Sequence, residues 1–203
     1  MSLTVVKVGG SYAHYPHLPA VAAALAEGAG RVVVVPGGGP FADRVRSEQQ
    51  VVGYDDRAAH RMALLAMAQF GYALASFSAT LAPAAGVEAI RLALARGLVP
   101  VWLPLDLLDG SPAVPETWDM TSDSLAAWLT GKLGAKRVVF LKRATPASTA
   151  FPDLLAAGIF DPLAPRFLAS AQTEAWLCGP EDISRLGAAL SAGDPVGQRI
   201  EVA

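Results

Sequence analysis

Arg31–Val35 is a run of four valines after an arginine, and it ends at Pro36-Gly37-Gly38-Gly39. An unbroken β-branched run with no polar alternation suits a strand buried on both faces, as in a parallel sheet covered by helices. Thr4–Val8, closed by Gly9-Gly10-Ser11, repeats the arrangement, and Leu98–Leu103, Arg137–Leu141, Glu174–Cys178 and Gln198–Val202 read as further strands. Between them, His17–Gly28, Phe41–Val51, Asp56–Phe77, Val87–Arg96, Ser124–Leu133 and Glu181–Leu190 carry helix formers, with Gly97 and Gly134 as stops. Asp109–Trp118 and Arg143–Pro152 read as loops. The alternation predicts an α/β fold, a three-layer αβα sandwich with a mostly parallel open sheet, as a single domain over 1–203.

Composition removes several classes of function. With 53% hydrophobic and 17% charged residues, the chain has too much apolar surface to remain disordered. Its 16 basic and 18 acidic residues give a net charge of -2 with no basic block, which argues against a nucleic-acid partner. One cysteine, Cys178, can form neither an internal disulfide nor a thiolate metal site, so a reducing cytoplasm is expected and Cys178 reads as inert core. The N-terminus shows no signal-peptide pattern. Met62 to Val87 lacks charge, but Gln69, Ser76, Ser78 and Thr80 interrupt it and alanines dilute it. It reads as a buried or interface helix rather than a membrane span.

In a parallel sheet, ligands sit outside the carboxyl ends of the strands. The first loop there is Gly9-Gly10-Ser11, whose glycines let backbone N–H groups approach a phosphate. Lys7 lies in the apolar strand before it, either facing an anion or snorkelling above a plain turn. The second loop, Gly37-Gly38-Gly39, leads into a helix N-terminus, an anion site, with Arg44 and Arg46 just beyond. Gly37–Ala42 also fits a dinucleotide-binding pattern, but the acidic residue expected at the end of the next strand is missing. In the third segment, Trp118 to Ser124, Asp119, Thr121 or Ser122 can cap a helix. Asp123 in its first turn either complements the helix dipole or orients a phosphate-binding lysine or an Mg²⁺-bound water. Of four lysines, Lys132 and Lys136 flank a turn, whereas Lys7 and Lys142 sit near the carboxyl ends of apolar strands. Those ends share one edge, so both lysines, both glycine loops and Asp123 are expected to converge on one polyphosphate.

Lys7-Val8-Gly9-Gly10-Ser11, Pro36-Gly37-Gly38-Gly39 and Ser122-Asp123-Ser124-Leu125-Ala126-Ala127, in that order, resemble the amino-acid kinase superfamily. Trp176-Leu177-Cys178-Gly179 and Val196–Ile200 are similar to that family's closing elements. A narrower likeness, in His60–Met67 and Trp118–Ser124, is to the subgroup that phosphorylates (5-(aminomethyl)furan-3-yl)methyl phosphate for methanofuran or methylofuran. The resemblance implies that Lys7, Gly9, Gly10 and Ser11 hold the transferring phosphoryl group. It places Gly37, Gly38 and Gly39 at the acceptor and γ-phosphate, has Asp123 position the lysines, and brings ATP and Mg²⁺ with no metal site of the protein's own. Two features depart from the family. Lys142-Arg143 stands where many members have Thr-Asp, and no lysine follows Lys142, Gly158-Ile159-Phe160-Asp161 being the nearest thing to the family's late glycine-rich stretch. Lys142 is accordingly expected to take part of the missing lysine's role.

The motif loops contain no evident general base, which favours an acceptor that is already an anion, such as a phosphomonoester with a second pKa of about 6. Arg44, Arg46, His60 and Ser122 are the remaining candidate substrate contacts. The expectation is an ATP-dependent kinase of a small phosphate substrate. The alternatives are a kinase of a small carboxylate or amino acid, a non-catalytic nucleotide-binding storage or sensor protein, and a dinucleotide-dependent oxidoreductase. The helix from Met62 to Phe77 has no charged face to give to water, and related kinases commonly pair through the helix in this place. A homo-oligomer built on it is expected, with Met67 and Phe70 in the contact.

Overall fold

A computed structural model describes residues 2–144 and 148–201. Strands β1 (Thr4–Val8), β2 (Val32–Pro36), β3 (Leu81–Ala85), β4 (Val99–Leu103), β5 (Arg137–Leu141), β6 (Glu174–Cys178) and β7 (Gln198–Arg199) form one sheet. The helices are α1 (Leu18–Ala26), α2 (Gly39–Val52), α3 (Asp56–Ala75), α4 (Gly86–Ala95), α5 (Leu105–Leu108), α6 (Ser122–Leu133), α7 (Phe151–Ala156), α8 (Ala164–Ala171) and α9 (Ile183–Ala192). The sheet order is β3-β4-β2-β1-β5-β6-β7, parallel throughout except for the β6–β7 pair.

Alternate side chains of each strand feed two separate cores. Val5, Val33, Val138 and Phe140 pack with α6 and α8, while Val6, Val34, Val139 and Cys178 pack with α1 and α9. The sheet is therefore covered on both faces, the three-layer αβα sandwich. Cys178 is fully buried, its thiol pushed up by burial, as inert core requires. The chain lays β2, β3 and β4 on one side of β1 and β5, β6 and β7 on the other. The β1–β5 boundary is thus the topological switch point, where a crevice opens at the carboxyl ends.

Several elements differ from the expectation. Leu81–Ala85 is an edge strand that the sequence hides, since it has no β-branched residue and contains Pro83. An edge needs ladder partners on one side only, which is where a proline is tolerated. The one-turn α5 and the short helices α7 and α8 were also not anticipated. The last strand is two residues long rather than running to Val202, which lies outside the described residues. So do 145–147 of the Arg143–Pro152 loop, and α7 already begins at Phe151.

The uncharged stretch divides into the C-terminal half of α3, a turn and β3; among the described residues no helix is long and apolar enough to cross a membrane. One correction concerns α3. Met67 and Phe70 are 4% and 1% exposed and belong to the chain's own cores, so they do not face a partner. Gly71 lets the helix lie close on the sheet; a Cβ there would meet Pro36, Val101 and Leu103 side chains at 3.3–3.4 Å. The apolar residues α3 leaves exposed are Met62, Leu65 and Tyr72.

Candidate active site

Lys7 and Lys142 reach the switch point from neighbouring strands. Lys7 pairs in register with Phe140, and Lys142 follows the last residue of β5. Asp123, in the first turn of α6, receives both. The Lys142 Nζ donates to Asp123 Oδ2 at 2.7 Å, and the Lys7 Nζ lies 2.8 Å from Oδ1. The Lys7 contact is an ion pair outside hydrogen-bonding angles, leaving Oδ1 without an aligned donor. Lys7 and Asp123 are buried, and Lys142 is half-buried.

The electrostatics follow from that burial. Burial pushes the Asp123 carboxyl up, but the Lys142 and Lys7 ammonium groups outweigh it and hold the carboxyl below its usual range. Burial lowers Lys142 to about 8, with Asp123 pulling up and Lys7 pushing further down. Lys142 also donates to the Ile159 carbonyl at 2.6 Å and lies 4.9 Å from the Phe160 ring centroid. Asp123 thus faces a lysine at each carboxylate oxygen.

The two glycine loops interlock beside this cluster. A Cβ at Gly10 would sit 2.3 Å from the Gly39 nitrogen, and one at Gly37 would sit 2.4 Å from the Gly10 nitrogen. At Gly9 it would stand 2.9 Å from the Leu141 carbonyl oxygen. Gly39 has φ +53°, in the left-handed region. The first requirement for glycine here is therefore backbone-to-backbone approach. Gly10, Ser11, Gly38 and Gly39 then line an adjoining cavity of about 450 Å³, while Gly9 and Gly37 lie buried behind it.

That cavity is closed on the other side by α3 and the segment before α6, through His60, Met67, Trp118 and Ser122. Lys7, Asp123 and Lys142 are not on its wall. They sit just behind, Ser122 and Arg143 being lining residues next to Asp123 and Lys142 in sequence. The Arg46 guanidinium stacks over Trp118 at 4.4 Å, and the Trp118 indole N–H donates to Gln49 at 2.6 Å. Arg44 points elsewhere, 77% exposed and paired with Glu48 at 2.8 Å.

His60 sits one turn into α3, buried, with its Nε2 facing no protein partner among the described residues. Burial lowers its pKa, against Glu116 and Asp109, so it is neutral at pH 7. Tyr12 is fully buried and packs; its hydroxyl donates to the Lys142 carbonyl at 3.3 Å. The N-terminus of α6 is not capped by Asp119, Thr121 or Ser122. Asp161, from the segment before α8, supplies the acceptors, and nothing in local sequence pairs it with a helix 37 to 40 positions earlier. Among the described residues, no group of three or more His, Cys, Asp or Glu is placed to hold a metal ion.

The sequence model of the amino acid kinase family matches residues 2–154. A curated relative, (5-(aminomethyl)furan-3-yl)methyl phosphate kinase of Methanocaldococcus jannaschii, is 26% identical over 137 residues, 66% of this chain and 63% of that protein. The match therefore spans less than two thirds of the relative's length. Among solved structures, a uridylate kinase from Archaeoglobus fulgidus aligns over 99% of this chain and 100% of the other, with a TM-score of 0.71 at 15% identity. A UMP kinase from Bacillus anthracis aligns over 98% and 95%, with a TM-score of 0.69 at 14% identity. Likeness at these identities concerns the fold.

Proposed function

The chain belongs to the amino acid kinase family, and from that premise we propose that it is an ATP-dependent kinase converting a small phosphomonoester to a diphosphate, with (5-(aminomethyl)furan-3-yl)methyl phosphate as the first acceptor to test. The observation that carries the reading is the pair of lysines gripping one buried carboxylate beside the glycine-lined cavity. Phosphoryl transfer asks for positioning and charge neutralisation rather than covalent chemistry. Lys7, Asp123 and Lys142 standing together beside the cavity support turnover over mere binding.

The roles follow from position. Lys7 and Lys142 stabilise charge on the transferring group, and Asp123 keeps them apart and oriented. Backbone N–H groups of Gly10, Ser11, Gly38 and Gly39, with Gly9 and Gly37 fixing the loops behind, cradle the phosphates. ATP would supply the phosphoryl group, and Mg²⁺ bound with it would neutralise charge on the phosphates. The bond from the terminal phosphorus to the bridging oxygen breaks, a bond from an acceptor phosphate oxygen forms, and ADP leaves.

The acceptor occupies the cavity between the loops and α3. Its wall carries cations, Arg46 and Arg143, and carboxylates, Asp43 and Asp56. A zwitterionic acceptor with a phosphate at one end and an ammonium at the other uses both signs. That lining favours an aminomethyl phosphate over a dicarboxylate, and it agrees with the name of the Methanocaldococcus relative. Ser122 and His60 complete the contacts, whereas Arg44 lies outside them. A homo-oligomer through the exposed face of α3 is part of the proposal.

The test is ADP release from MgATP with a panel of alkyl, nucleoside and aminomethylfuran phosphates, together with aspartate and glutamate. Turnover confined to a phosphomonoester supports the reading. Turnover confined to a carboxylate overturns the choice of acceptor, and MgATP binding with no turnover favours the sensor alternative.

A further inference from the structure

Asp161 lies outside the stretch matched by the family model and outside the cavity, yet its buried carboxylate is among the most heavily used in the protein. Its Oδ2 accepts from the Thr121 backbone N–H at 2.9 Å, the Thr121 hydroxyl at 2.8 Å and the Ser124 backbone N–H at 3.0 Å. Its Oδ1 accepts from the Ser124 hydroxyl and from the Leu163 backbone N–H at 3.2 Å. The first turn of a helix exposes N–H groups that need acceptors, and an anion there also meets the positive end of the helix dipole. Two residues lie between those clamped positions, and one of them is Asp123. Two residues before Asp161, the Ile159 carbonyl holds the Lys142 ammonium at 2.6 Å. One short strut therefore fixes both a lysine and the turn that carries its carboxylate partner.

We propose that Asp161 is a positioning residue of the active site, whose carboxylate sets the first turn of α6 and through it the placement of Asp123 between Lys7 and Lys142. The inference rests on the reading that Asp123 organises the two lysines. Asparagine cannot replace Asp161 in this role. All five of its partners are presented as donors, so an amide NH₂ would oppose at least one of them. The charged groups facing Lys142 are Asp123 from α6 and Lys7 from β1; the strut itself gives it a carbonyl and a ring. A loosened α6 turn consequently reaches Lys142 through Asp123.

The experiment is an NMR titration of ¹³Cε-labelled lysines, which needs no substrate and has four signals to assign. In the wild type the Lys142 signal is expected to titrate near 8. Asp123→Asn displaces that titration downward by about one unit, as loss of an opposite charge at contact distance does. Asp161→Asn displaces it in the same direction by less, and adds nothing in the Asp123→Asn background, as residues acting through one group do. If Asp123→Asn leaves Lys142 unmoved, the reading of Asp123 fails. If Asp123→Asn moves it and folded Asp161→Asn does not, Asp161 is a structural cap only and the inference is overturned. Should Asp161→Asn fail to fold, the Thr121→Ala/Ser124→Ala double variant removes two of the five bonds, and an unmoved Lys142 there overturns the inference equally.

Discussion

At the scale of single residues, the proposed chemistry rests on charges placed where water is scarce. Replacing Lys7 with alanine is expected to lower kcat by about 10²–10³, the usual worth of one well-placed electrostatic stabiliser, with the fold retained by circular dichroism. Asp123→Asn should be severely impaired as well as less stable, because breaking a buried pair costs about 3–5 kcal/mol. Lys142 would then be held further below its unfolded pKa, so the unfolded state binds more protons and stability rises with pH. The melting temperature of this variant should increase from pH 7 to pH 9, and a flat or falling trend would contradict the arrangement. In the wild type, Lys142 must keep its proton, so kcat declines as pH passes about 8. On the acid side the acceptor's own second ionisation, near about 6, sets the limit. A pH–rate profile lacking the alkaline decline would remove Lys142 from the reaction. Lys7 and Lys142 were readable in sequence because a charge inside an apolar run needs a reason, and Asp123 through the family resemblance of its segment. Asp161 was not, because its partners are mostly backbone N–H groups and hydroxyls of a distant turn.

At the scale of elements, strands were legible where they are central and obscure where they are not. β1, β2 and β5 are β-branched runs buried on both faces, and their limits were read to within a residue. β3 sits at an edge and is built of Leu, Ala and Pro, so nothing in its composition signals a strand. The glycine loops illustrate a second limit. Their sequence suggested access to phosphate, whereas the loops first need glycine to touch each other. Gly10→Ala would push a methyl into the Gly39 backbone. It should cost about 1–3 kcal/mol by overpacking and sharply reduce activity by parting the loops, both visible by calorimetry and ADP release. The uncharged part of α3 carries the same lesson: lacking charge did not mean being buried all round. Met67→Glu should unfold the chain, whereas Leu65→Glu or Tyr72→Glu should leave it folded and, if copies pair through this face, lower the mass seen by light scattering.

At the scale of the molecule, a parallel sheet whose order reverses between β1 and β5 determines where everything else converges. The reversal brings two distant lysines to adjacent strand ends, and α6 lays its first turn across them. This convergence was legible from the order of loops, since the carboxyl ends of parallel strands share an edge. The acceptor cavity was only partly legible: Arg46, His60 and Ser122 line it, but the closure by Trp118 and the separation of Arg44 depend on how α2 turns against α3. The central claim is that this convergence transfers phosphoryl groups onto a phosphate. The most direct measurement is ³¹P NMR of the wild-type protein with MgATP and (5-(aminomethyl)furan-3-yl)methyl phosphate. The account predicts loss of the acceptor's single resonance and growth of the coupled pair of a diphosphate ester alongside ADP, absent with Lys7→Ala. An unchanged acceptor resonance while another class of compound, a carboxylate or an alcohol, is phosphorylated would contradict it.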